Sequence, residues 1–224
     1  TDLPGFGAAS PMRKVTETVA FDAAWDASRR NKVRELFDGM AADWTSRATP
    51  EREASILDAL ERGGLAGDKV IELGSGTGLG TGHLIKRFDN VIALDLSMEM
   101  LRHQPDLAPK MQADASMLPF PDGAADLLVL VNMLLFPAEV DRVVRPGGGL
   151  LWINTLGHET PIHLSPEAVV DALPGSWTAT AGRAGSGLWA AAQRASLLCV
   201  VAPSLLRQSR SVTLRRSSAA PSGF

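Results

Sequence analysis

The sequence predicts an α/β fold built on a doubly wound, mostly parallel sheet, and three observations predict it. Residues 70–80 read Val-Ile-Glu-Leu-Gly-Ser-Gly-Thr-Gly-Leu-Gly. This apolar run breaks into alternate glycines and is followed by Leu84, Ile85 and Phe88 at helical spacing, the pattern of strand, tight turn and helix. Strand-length apolar runs then alternate with short helical patterns as far as residue 154, which argues for parallel strands with helices on both faces. Finally, Ala125–Val131 is apolar except for Asp126, as a strand buried on both faces requires.

Taken in order, residues 1–20 are rich in Gly, Ala, Pro and Thr, lack periodicity and read as a mobile or surface-draped segment. From 22 to 44, Val33, Leu36, Phe37, Met40, Ala41 and Trp44 recur at helical spacing. Thr49-Pro50-Glu51 then starts a helix with an N-cap, a proline at the first helical position and an acid in the first turn. Its buried face is Ile56, Leu57 and Leu60, and Gly63-Gly64 ends it. Strands follow at 69–73, 90–94, 110–113, 125–131 and 149–154, with helices at 79–87, 98–103 and 136–144. Arg145-Pro146-Gly147-Gly148 reads as the turn that closes the last of these helices. A helix at 166–173, capped by Ser165, precedes a closing antiparallel strand pair at 177–181 and 188–194 around a connection at 182–187. The implied organisation is an N-terminal segment with capping helices (1–64), an α/β core (65–195) and a tail (196–224). The tail carries Arg207, Arg210, Arg215 and Arg216 and no acid, leaving −7 on the remainder. It reads as a disordered basic segment, with a membrane-surface or partner anchor as the sharper reading.

Composition limits the function classes. A net charge of −3 gives no electrostatic footprint for nucleic acid. No apolar run reaches the ~20 residues of a membrane span, and no leader is visible. A single cysteine, Cys199, excludes an intrachain disulfide and fits a reducing, cytoplasmic setting. The absence of tyrosine removes phenol as a catalytic acid or base.

Glycine spacing then discriminates among ligands. In a dinucleotide fingerprint counted from Gly74 the third glycine would fall at 79, which is Leu79, and no Gly-Lys-Ser/Thr tripeptide marks a P-loop. Asp95 ends the second strand 21 residues after Gly74. Its carboxylate can accept from vicinal ribose hydroxyls or serve as N-cap for the helix at Met98. Residues 112–126 read Gln-Ala-Asp-Ala-Ser-Met-Leu-Pro-Phe-Pro-Asp-Gly-Ala-Ala-Asp, and 142–149 read Arg-Val-Val-Arg-Pro-Gly-Gly-Gly.

The Glu-x-Gly-x-Gly-x-Gly stretch resembles the first motif of class I S-adenosylmethionine-dependent methyltransferases. The Leu-Pro-Phe-Pro-Asp segment, the Pro-Gly-Gly element and Phe37-Asp38-Gly39-Met40-Ala41 are similar to elements of the ubiquinone and menaquinone biosynthesis branch. The resemblance covers about residues 34–155. It implies a Rossmann-like core and S-adenosyl-L-methionine as cofactor. Glu72, Gly74, Ser75, Gly76 and Gly78 would hold its methionine end, with Asn132 facing it and Trp44 and Arg47 closing over its carboxylate. Asp95 would take the ribose, Leu96 and Met98 would sandwich the adenine, and Asp114 and Ala115 would meet its edge. One departure is a short 132–146 connection, which leaves open which of its residues line the substrate cavity.

Leu134, Leu135 and Phe136 suggest an apolar wall, so the acceptor is expected to be a small, partly apolar molecule, methylated on O, C or N. The Asn/Asp-Pro-Pro-aromatic signature of amino-methylating DNA enzymes is absent after the fourth strand, where Asn132-Met133-Leu134-Leu135 stands. His158 and His163, in the loop after the fifth strand, are the base candidates; solvated loop histidines are the alternative. No histidine–carboxylate cluster has metal-ligand spacing. Two rival readings stay open: a non-catalytic S-adenosylmethionine-binding protein acting through partners, and a nicotinamide-dependent oxidoreductase.

Overall fold

The computed structural model describes residues 10–196 and 211–214. Eight strands form one sheet in the order β3-β2-β1-β4-β5-β7-β6-β8. They are β1 (Lys69–Leu73), β2 (Asn90–Asp95), β3 (Lys110–Gln112), β4 (Ala125–Val131), β5 (Val144–Asn154), β6 (Trp177–Ala184), β7 (Gly187–Arg194) and β8 (Ser211–Leu214). Every neighbouring pair is parallel except those made by β7, which runs against both β5 and β6. The predicted Rossmann-like sheet with a closing antiparallel pair is therefore present.

Alternation along the central strands divides the core in two. Leu127, Val129, Leu151 and Ile153 face one side, where Ile56 and Ala59 of α3 (Pro50–Arg62) and Leu84 of α4 (Leu79–Leu84) cover them. Leu128, Leu130, Leu150 and Trp152 face the other. There they meet α6 (Pro137–Val143) through Val140 and Val143, and α7 (Pro166–Ala172) through Val169 and Val170. All these side chains are buried. At about 25 cal/mol per Å² of apolar surface, the two layers supply the main drive for folding.

Several local expectations are corrected. Residues 11–22 are not draped on the surface: they form helix α1 (Pro11–Asp22), started by the Ser10 hydroxyl accepting from the Met12 N–H. Ala23, in a left-handed conformation (φ 51°), ends it, so α2 begins only at Ala27, capped by Asp26, and runs to Trp44. On α2 only Ala41 is buried and Leu36 is exposed. The apolar stripe of this helix lines cavities instead of packing into a core. Leu57 of α3 is also exposed, because Ile56 and Ala59 already take the sheet-facing positions. Helix α4 stops at Leu84, and residues 85–87 continue as turn. Arg145-Pro146-Gly147-Gly148 is a bulge within β5: Ala125 pairs with Val144 and Leu127 with Gly149, leaving four residues opposite one.

The closing hairpin is longer than its sequence suggests because Gly182 lies inside β6. A Cβ there would overlap the Trp189 ring, which lies across that position. Trp189 in turn donates to Asp58 of α3 (2.7 Å). Within the stretch expected to be a disordered tail, Ser211–Leu214 pairs with β6 as the edge strand β8. The 197–206 apolar run and Arg207, Arg210, Arg215 and Arg216 lie outside the described residues, as does Cys199. Among the described residues no helix is long and apolar enough to cross a membrane.

Candidate functional site

The site lies at the carboxyl ends of β1, β2 and β4, where an open α/β sheet binds its ligands. After β1 the chain turns through Gly74, Gly76 and Gly78, all at positive φ (70°, 56° and 90°). A Cβ on Gly74 would come within 2.6 Å of Met133 Sδ, and one on Gly80 would overlap the Glu72 carboxyl. These glycines let the loop and the start of α4 press against their neighbours and leave the backbone facing a cleft.

That cleft, about 870 Å³ including its open mouth, brings together most of the predicted residues: Glu72, Gly74, Ser75, Gly76, Asp95, Leu96, Asp114, Ala115, Asn132 and Trp44 all line it. Asp95 is anchored through both oxygens, by the Gly76 N–H (2.8 Å) and the Ser97 N–H (2.8 Å). The helix after β2, α5 (Met98–His103), is capped by the Ser97 hydroxyl, so Asp95 is not its cap. A carboxylate offers about four acceptor positions, so anchored Asp95 keeps capacity toward the cleft. Burial raises its pKa.

Glu72 is buried at the floor. Its Oε2 accepts from Thr81 Oγ1 (2.5 Å), Gln104 Nε2 donates to that same Thr81 oxygen (2.9 Å), and Ser75 Oγ donates to Gln104 Oε1 (3.2 Å). Desolvation pushes the Glu72 pKa up to about 8, so the group is mostly protonated at neutral pH. Thr81 and Gln104 were missed in the sequence. Gln104 lies just beyond a six-residue helix, and nothing in its surroundings there marks it as buried.

The N-terminal helices roof the cleft. Trp25 Nε1 donates to both oxygens of Asp114 (3.2 Å each), and its ring meets Phe136 edge-on at 5.3 Å. Ser97 Oγ donates to Asp38 of α2 (2.5 Å), which gives the Phe-Asp-Gly-Met-Ala segment a physical task. Trp25, Phe37, Met12, Val33 and Ile162 are lining residues that sequence reasoning did not find. The short 132–146 connection lines the cleft through Met133, Leu134 and Phe136, whereas Leu135 is buried in the core. Arg142 locks the Leu-Pro-Phe-Pro-Asp segment in place. It donates to the carbonyls of Leu118 (3.0 Å) and Phe120 (2.7 Å) while pairing with Glu139, which accepts from the Leu118 N–H (2.6 Å).

Five predicted residues fall outside the cleft lining. Gly78 is the left-handed residue that starts α4 and packs on Gln104. Met98, at the first position of α5, points outward at 38% exposure, and Met100 takes the lining position. Arg47 stacks on Trp44 (4.6 Å to the ring centre) and faces a second cavity. His158 and His163 line neither cavity. Arg183 Nη2 contacts His158 Nε2 (2.6 Å), His158 Nδ1 contacts His163 Nε2 (3.2 Å), and His163 Nδ1 contacts Asn154 Oδ1 (3.0 Å). One assignment of protons satisfies all three bonds: Arg183 donates to a neutral His158, which donates to a neutral His163, which donates to Asn154. Burial, with the charge of Arg13 next, lowers the His163 pKa to about 4.

Asn132, at φ 51°, ends β4. Its amide is committed to Thr155: Oδ1 accepts from the Thr155 N–H (2.9 Å) and Nδ2 donates to Thr155 Oγ1 (2.8 Å). Beyond it lies the second cavity, about 1090 Å³ including its mouth. Met12, Phe37, Trp44, Asn132 and Ile162 line both spaces, which therefore adjoin. No group of three or more metal-ligating side chains occurs among the described residues.

Glycine turn, strand-end acids and sheet order are those of a Rossmann-like methyltransferase fold. Residues 71–152 match the family described as methyltransferase domain. Among curated relatives, the chain is 33% identical over 149 residues to a malonyl-[acyl-carrier protein] O-methyltransferase of Halorhodospira halophila, covering 58% of this chain and 50% of that one. It is 38% identical over 108 residues to a demethylmenaquinone methyltransferase of Beutenbergia cavernae, covering 43% and 44%. The chain thus spans about half the length of these curated relatives. Among solved structures, a DhpI–SAH complex aligns with a TM-score of 0.60 at 24% identity, covering 74% of this chain and 97% of that one. A putative methyltransferase solved with the Haloferax volcanii Trm112 activator aligns at 0.57 and 18%, covering 71% and 97%. Both likenesses concern the fold.

Proposed function

We propose that this chain transfers a methyl group from S-adenosylmethionine to a small, partly apolar acceptor by in-line displacement. One observation carries the reading: the cleft lined by Glu72, Gly74, Gly76, Asp95 and Asp114 adjoins a second, largely apolar cavity, with which it shares five lining residues. Donor and acceptor spaces in that relation let the protein align three atoms and exclude water.

The residues fit the cofactor. Asp95 would accept from the ribose hydroxyls, Asp114 from the adenine amino group, and Glu72 with the Gly74–Gly76 backbone would receive the methionine end. The cofactor, when bound, supplies a methyl group already activated by its sulfonium. What the chain supplies is position. Asn132 is fixed by its two bonds to Thr155 at the boundary of both spaces, while Trp44, Phe37, Met12 and Ile162 keep that boundary apolar. We assign His158 and His163 to bracing the loop after β5, since their ring nitrogens are engaged with one another, Arg183 and Asn154. An acceptor that ionises readily needs no base from the protein.

Isothermal titration with S-adenosylmethionine and with S-adenosylhomocysteine tests the donor site, and methyl transfer from radiolabelled donor to a panel of small apolar acids, phenols and amines tests the reaction. Binding of NADH with no binding of either sulfur compound would overturn the reading.

A further inference from the structure

Resting on the proposed donor site, we infer that the second cavity is the acceptor site and takes an amphiphilic carboxylic acid, its carboxylate on Arg52 and its apolar chain along Leu36, Phe37 and Met40. The lining of this cavity is mostly apolar. Among the described residues its charged members are Arg47 and Arg52. Arg52 is set back from solvent and has no carboxylate within ion-pair distance among the described residues. Its Nε donates to Thr155 Oγ1 (3.3 Å) and Nη1 to the Arg47 carbonyl (2.9 Å), both neutral oxygens. Burial and the nearby Arg47 charge both depress its pKa, as for a cation with no acid beside it. Half-burying a cation with no acid beside it carries a desolvation cost, and an entering carboxylate would relieve part of it.

The fork geometry suits a carboxylate. Arg52 spends Nε and one Nη1 hydrogen on the protein, and its remaining donors can meet the two oxygens of a planar anion. The placement suits transfer. Thr155, which accepts from Arg52, also accepts from Asn132 Nδ2. The guanidinium therefore stands two hydrogen bonds from the wall of the donor cleft, and a bound acid would have its polar end beside that wall. Leu36, otherwise an anomalous 45% exposed leucine on α2, gains a role as chain-facing surface.

The test is calorimetry on the whole chain. S-adenosylhomocysteine is titrated first, which judges the donor site by itself. Octanoate, octanol and octyl phosphate are then titrated into the loaded and the unloaded protein. Octanoate should bind at least about tenfold more tightly than octanol, the gain of a charge-assisted hydrogen bond. Arg52→Gln should abolish that advantage, Arg52→Lys should retain part of it, and both should keep S-adenosylhomocysteine affinity within about twofold. Because Arg52 also braces the turn before α3 through the Arg47 carbonyl, the partial return of octanoate affinity in Arg52→Lys separates its charge from that brace. Octanoate binding no tighter than octanol would overturn the proposal, as would octyl phosphate binding more tightly than octanoate. Loss of S-adenosylhomocysteine affinity in Arg52→Gln with octanoate unchanged would reassign the arginine to the cofactor. Failure of the unaltered chain to bind S-adenosylhomocysteine would overturn the donor reading, while octanoate binding to the unloaded protein would still judge the anion subsite.

Discussion

Replacing Glu72 by glutamine should make the protein more stable above neutral pH, and the size of the gain follows from burial. The carboxyl has an ordinary pKa of 4.5 and a folded pKa of about 8. Between those values the unfolded chain is ionised while the folded one holds its proton, so the folded state binds more protons and stability falls as pH rises. The stability contributed is fully present below pH 4.5 and lost as pH rises through 8. Each pH unit inside the window costs about 1.4 kcal/mol. His163 has the opposite sign. Its pKa drops from 6.5 to about 4, so stability is lost as pH falls from 6.5 toward 4. The two slopes oppose one another between pH 4.5 and 6.5 and nearly cancel. The window free of His163 is pH 6.5 to 8, where the Glu72 contribution should cost about 1.5–2 kcal/mol. Glutamine keeps the shape, and its carbonyl can still accept from Thr81. Urea unfolding at pH 6.5, 7.2 and 8.0 measures the difference between wild type and Glu72→Gln, which should widen steadily with pH. Parallel pH profiles for the two proteins would refute the argument, for they would mean that Glu72 is ionised in the folded state at pH 6.5.

The same variant should expose the acid limb: without the opposing Glu72 slope, stability should fall by about 2 kcal/mol from pH 6.5 to 4.5, read in the same urea series. Asp95→Ala should weaken S-adenosylhomocysteine binding by about 1.5–3 kcal/mol, the range for hydrogen bonds to a charged group; calorimetry showing unchanged affinity would remove Asp95 from the ribose site. Gly80→Ala should destabilise by about 1–3 kcal/mol as an overpacked position, because its Cβ would overlap the buried Glu72 carboxyl; the check is the urea midpoint, and pairing it with Glu72→Ala should recover part of the loss. Arg142→Ala should cost about 2 kcal/mol or more by releasing the Leu118 and Phe120 carbonyls, and hydrogen exchange should localise the loosening to residues 114–124.

The sheet was legible because its signals are local. Alternation of strand and helix, the glycines at 74, 76 and 78, and the terminal acids Asp95 and Asp114 each follow from a few neighbouring residues, so β1 to β5 and most of the lining of the first cleft could be placed from the sequence. Errors arose where a residue answers to a distant partner. Gly182 looks like a loop residue until Trp189 is seen lying across it. Residues 11–22 look like linker, yet Met12 lines both cavities, and Arg13 donates to the His158 and Thr160 carbonyls of the loop after β5. Leu36, Phe37 and Met40 look like a core stripe and instead border a cavity.

The sequence by itself determined the class of fold, the glycine turn and the acids at the strand ends, because turn chemistry and periodicity act within a dozen residues. Tertiary structure alone decided which face α2 presents, that His158 and His163 face each other and not the cleft, and that Arg52 borders the second cavity with only neutral oxygens as its hydrogen-bond partners. Those facts depend on burial and on pairs separated by as many as 147 residues, as between Arg13 and Thr160. No local pattern records such distances, because the chain brings those groups together only when the sheet closes.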